Sequence, residues 1–128
     1  MPLLVATTVP AQPVQSLVSP GLPTIYTSQL GAAGSAQVYL DPGGPGQNQL
    51  HVTFFDPAGT ELPTQSATIG VFPADGAAAI LPPRMLEPGH FVATIDAVAG
   101  ALTVDVVSPL PDPAPGHLHL HVTIEVTP

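Results

Sequence analysis

The segment 117–126, HLHLHVTIEV, does most to limit what this chain can fold into. Every second residue is apolar: Leu118, Leu120, Val122, Ile124 and Val126. Successive side chains of a β-strand point to opposite faces, so this spacing makes one apolar face and one polar face. On a helix the same residues would be scattered around the axis. A strand with one apolar face has to bury it against a second layer. The same alternation recurs upstream. Ala36, Val38 and Leu40 share a face, as do Leu50, Val52 and Phe54; Phe91, Ala93 and Ile95; and Leu102, Val104 and Val106. Between these runs fall most of the 18 prolines and 12 glycines, which act as turn punctuation.

Read this way, strands are predicted over residues 24–30, 35–41, 49–56, 66–72, 77–86, 90–96, 101–107 and 117–126. The run 77–86 is interrupted by Pro82 and Pro83 and is expected at an edge. No segment has a 3.6-residue period, and turn signals recur roughly every ten residues. The fold class is therefore all-β, an immunoglobulin-like antiparallel β-sandwich of about seven or eight strands. A chain of 128 residues suits one domain. At this size roughly two-thirds of the unfolded surface is buried on folding, enough for a core without the disulfides that a cysteine-free chain cannot form. Residues 1–22, with Pro2, Pro10, Pro13 and Pro20, read as an extended linker, and residues 23–128 as the sandwich.

Arg84 is the single basic residue against nine acids, a formal net charge of −8. Such a chain has nothing with which to neutralise phosphates, so nucleic acid is excluded as a partner and anionic membrane surfaces are disfavoured. Cations, metal ions among them, are attracted. Hydrophobic residues make up 45% of the chain and charged ones 8%, the reverse of an acidic disordered segment.

His117, His119 and His121 occupy the polar face of the last strand. Alternate residues on a strand are about 7 Å apart, so three in a row span roughly 13 Å and do not converge on one ion. Two of them with a ligand from the next strand do. If 101–107 forms a hairpin with the last strand, outward residues oppose outward residues and Asp105 faces the histidines, opposite one or another according to register. Two imidazoles and a carboxylate suit Cu(II) or Zn(II). The competing reading of this face is a plain solvated sheet surface. His51 and His90 stand singly and are expected to be structural, and Met85 to fill a gap beside Leu86. Arg84 is expected to pair with Glu87.

No nucleophile elbow, HExxH or phosphate loop occurs, and the chain is expected not to be an enzyme. Asp56, Asp75, Asp96 and Asp112 sit beside Gly, Ala or Pro, where aspartate caps turns.

Two stretches resemble a known family. PGQNQLHVTFFDPAG, residues 45–59, is similar to the G-x-N-x-h-x-V-x-h-x-D-x-x-G start of the YtkA-like domain that follows the last membrane helix of actinobacterial CopC/CopD-type copper-resistance proteins. LEPGHFVATIDAVAGALTVDV, residues 86–106, is similar to that domain's G-P-G-x-Y-x-A…G-x-W-x-L-x-V signature, with Leu102 where tryptophan is usual. VATTVPAQP, residues 5–13, resembles the exit of those proteins from the membrane. The resemblance implies an immunoglobulin-like extracytoplasmic domain, tethered to the membrane in the full-length protein. It also implies a copper transport or resistance context, with the membrane domain of the same or a partner transporter as partner. It supplies no catalytic residues, no amino-terminal copper histidine, and no role for the HLHLH strand. The expected function is to bind or hand on copper or to support the transporter; the alternative is a structural interaction module without a metal role.

Overall fold

The computed structural model describes residues 14–18 and 23–128. Ten strands are present among them: β1 (Val14–Leu17), β2 (Ile25–Gln29), β3 (Ser35–Asp41), β4 (Gly46–Phe55), β5 (Thr68–Pro73), β6 (Ala79–Leu81), β7 (Arg84–Glu87), β8 (His90–Ala97), β9 (Gly100–Pro109) and β10 (His117–Val126). They form two antiparallel sheets, one of six strands in the order β1-β2-β3-β4-β8-β7 and one of four in the order β10-β9-β5-β6. Strands β3 to β10 reproduce the immunoglobulin arrangement, with β3-β4-β8-β7 as the A-B-E-D sheet and β10-β9-β5-β6 as the opposing sheet. The fold is thus the all-β antiparallel sandwich that the alternation predicts.

The strand count exceeds the expected seven or eight for two reasons. Within the expected linker, Val14–Leu17 pairs antiparallel with β2, although all four residues are exposed. Residues 1–13, including the membrane-exit stretch, lie outside the described residues. The run 77–86 becomes two strands, because Pro82 and Pro83 have no N–H to continue a ladder. Its halves part to different sheets: β6 pairs with β5, and β7 with β8. No helix among the described residues is long and apolar enough to cross a membrane.

The core forms where the two apolar faces meet. Ala36, Val38, Leu50, Val52, Phe54, Phe91 and Ile95 from one sheet pack against Ile69, Val71, Leu102, Val104, Val106, Leu118, Leu120, Val122 and Ile124 from the other. Phe54 and Phe91 meet edge to face at 6.5 Å, a favoured aromatic geometry. The alternation of β10 is complete, each apolar residue buried and each polar one exposed.

The family-like motifs prove to be turn and closure devices. Asn48 is buried; its side-chain oxygen accepts from Gly43 N–H at 2.6 Å, and its amide donates to the carbonyls of Gly44 and Gly46, so it pins the β3–β4 loop. Asp56 Oδ1 accepts from the backbone N–H groups of Ala58 and Thr60, closing the next turn. Gly89, with φ +90°, lies so close to the Leu62 carbonyl that a Cβ would collide with it. Its N–H donates to the Thr64 carbonyl and its own carbonyl accepts from Phe54 N–H.

Candidate functional site

The polar face of β10 is set by its pairing with β9. In that register His117 lies opposite Pro109, His119 opposite Val107 and His121 opposite Asp105. The loop between the strands is held by Leu110 N–H to the Gly116 carbonyl and Ala114 N–H to the Pro111 carbonyl, each 3.0 Å. Asp105 therefore has His121 directly across from it and His119 on the diagonal. Its neighbour on the other side, in β5, is Gly70, which brings no side chain over the carboxylate. Phe72 and Ile80, both exposed, stand near Gly70 and give this face an apolar border.

One carboxylate oxygen links the two rings. Asp105 Oδ1 is 2.6 Å from His119 Nε2 and 3.2 Å from His121 Nδ1. A carboxylate only accepts hydrogen bonds, so each ring turns an N–H toward it. The side chains of His119 and His121 remain 59% and 63% exposed, against 31% for Asp105. At that exposure the contacts themselves add little to folding, on the order of 0–1 kcal/mol. His117 faces Pro109, away from the carboxylate. The structure thus gathers Asp105, His119 and His121 and leaves His117 outside the group.

These three side chains match the donor set of a borderline cation. Two ligand atoms each about 2.0–2.2 Å from one tetrahedral Zn(II) are roughly 3.3–3.6 Å apart; the 3.2 Å contact of His121 is near that spacing, and the 2.6 Å contact of His119 is a hydrogen bond that would have to open. Among the described residues, however, no three His, Asp or Glu side chains already stand open around a common point. Both rings point N–H groups at the same oxygen, so to ligate a cation each exposed ring would have to turn outward and offer its unprotonated nitrogen.

The sequence reading missed a second group, on the outer face of the six-stranded sheet. His51 Nδ1 and His90 Nε2 are 3.3 Å apart. Tyr39 lies flat on His51, ring centroids 4.5 Å apart and planes 5° from parallel. Glu87 stands opposite His90 across a bulge in β7 and is hydrogen-bonded to Glu61, in place of the expected contact with Arg84. Loss of water, then the charge and hydrogen bond of Glu87, push the Glu61 carboxyl above its ordinary range, while His90 acts in the opposite sense. Burial and then the neighbouring His90 hold His51 below the usual imidazole value of 6.5, and Asp41 partly offsets them. The sign of the pH effect follows. Folded protein takes up the His51 proton less readily than unfolded chain, so its stabilising contribution is complete above pH 6.5 and is lost as pH falls through the lower folded-state value. Denaturant unfolding of His51→Gln should accordingly show a weaker loss of stability below pH 6.5 than the parent; parallel pH profiles would show that His51 carries none of it.

The chain matches no family model, no curated protein and no solved structure in comparisons with each.

Proposed function

We propose that this chain is a non-enzymatic, extracytoplasmic metal-binding domain that takes Cu(II) or Zn(II) on the outer face of its four-stranded sheet, through Asp105, His119 and His121. The carrying observation is the single Asp105 oxygen 2.6 Å and 3.2 Å from the two imidazoles. Neutral imidazole and carboxylate suit both ions, and the −8 net charge lowers the cost of bringing a cation in. Both strands are already paired over their whole length, so binding orders two or three side chains and little backbone. The copper context rests on the resemblance of residues 45–59 and 86–106 to the YtkA-like domain of copper-resistance proteins. In that setting the domain binds copper and passes it to, or receives it from, the membrane domain of the same or a partner transporter.

Isothermal titration of the parent against a His117/His119/His121 triple-alanine variant tests this reading. The parent should bind Zn(II), and separately Cu(II), at neutral pH and release it as the imidazoles protonate, because the ion and the protons compete for the same nitrogens. The variant should lose one equivalent. Equal heats and stoichiometry in both proteins would leave the outer face merely solvated, and the domain a structural interaction module.

A further inference from the structure

We infer that His51 and His90 form a second binding site for a divalent transition-metal ion, on the outer face of the six-stranded sheet. The two residues lie on adjacent strands. In the β4–β8 register His51 is opposite Val92 and His90 opposite Thr53, so the histidines are diagonal neighbours on one face. Two imidazole nitrogens each about 2.0–2.1 Å from one tetrahedral ion are roughly 3.3–3.4 Å apart. The observed separation is 3.3 Å. The metal-bound spacing is therefore already present. Of the two facing nitrogens, one donates and the other accepts; when an ion enters, the donor ring shifts its proton to its other nitrogen, and both facing nitrogens then offer lone pairs.

The surroundings hold the clip in place. Tyr39 stacks on His51 and fixes its ring plane, and His90 is tilted 47° to His51 with ring centroids 5.5 Å apart. Both histidines are only partly exposed, so the rings have fewer alternative rotamers than His119 and His121. A carboxylate lies on the neighbouring strand, where Glu87 pairs across from His90. It is not placed as a ligand, and no three such side chains form a ready set among the described residues. Water completes the shell. Arg84 stands opposite Val92 in the same cross-strand row as His51, and the two glutamates and Asp41 offset its charge. Two imidazole nitrogens favour Cu(II) or Zn(II) over Mg(II) or Ca(II). The outer faces of the two sheets point to opposite sides of the sandwich, so this site and the Asp105 site fill independently.

The test uses the full chain carrying the His117/His119/His121 triple-alanine change, which leaves His51 and His90 as the remaining histidines. Its outcome does not depend on whether the other face binds metal. Adding Zn(II) should shift the ring signals of His51 and His90 together in nuclear magnetic resonance spectra, saturating at one equivalent, and Mg(II) should move neither. Cu(II) should quench the fluorescence of Tyr39. In the same background His51→Ala or His90→Ala, checked for the parent's β-sheet circular dichroism, should weaken Zn(II) binding at least tenfold. Ring signals that stay in place, or the shift of one ring alone, would overturn the inference, and this measurement needs no substitution within the clip.

Discussion

Replacing Phe54 by alanine is expected to lower the stability of the domain by about 3–5 kcal/mol. Phe54 is completely buried and lies on β4, which is flanked on both sides by paired strands. Its ring meets Phe91 edge to face. Truncation removes the ring's transfer free energy and also leaves a cavity between two sheets whose ladders fix their spacing, so the site collapses poorly. Phe72 offers the control. It lies on the outer face of β5 and is 47% exposed, and Phe72→Ala should cost about 1 kcal/mol or less. Urea unfolding of the two variants beside the parent reads both values. Equal losses would mean that the core is not where the alternation places it.

That alternation carried most of the fold. Each predicted inward set, from Ala36–Val38–Leu40 to Leu118–Leu120–Val122, is buried, because period two leaves a strand no choice of face once one side is apolar. Val92 shows where the rule stops. It shares the outward face of β8 with His90 and Thr94, yet it is buried. It sits between His51 on β4 and Arg84 on β7, a cover that depends on strand order. The departure of β6 and β7 to different sheets depends likewise on which partner each half finds after Pro82 and Pro83.

The candidate sites divide in the same way. That Asp105 faces the β10 histidines follows from parity within one hairpin. That it lies opposite His121 and diagonal to His119 is a matter of register, which the turn at 110–116 sets through its own backbone hydrogen bonds. The His51–His90 clip joins residues 39 positions apart in sequence, and neither has a histidine close to it along the chain. Only the pairing of β4 with β8 brings them together. Outward parity of His51 was a usable signal; the identity of its neighbour strand was not contained in any local pattern.

The second large effect concerns the four-stranded face. His119→Ala should weaken Zn(II) binding there at least tenfold, equivalent to about 1.4 kcal/mol. His119 gives the shorter of the two contacts to Asp105, 2.6 Å against 3.2 Å for His121. Asp105→Asn should do comparable damage: it keeps the size of the side chain and removes the negative charge that both rings and the ion share. His117→Ala should change affinity less than about twofold, since His117 faces Pro109 and has no carboxylate across from it. Titration calorimetry on the three variants in a His51→Gln background isolates this face from the other sheet.

The central claim, that Asp105, His119 and His121 act together on a metal ion, is tested most directly on the unmodified protein. Ring-nitrogen resonances of all five histidines can be followed while Zn(II) is added at neutral pH. The account predicts that the His119 and His121 signals move together, in step with the Asp105 carboxylate carbon, while His117 lags behind. Signals of His119 and His121 that stay fixed through two equivalents of Zn(II), or a response led by His117 with Asp105 unmoved, would contradict it.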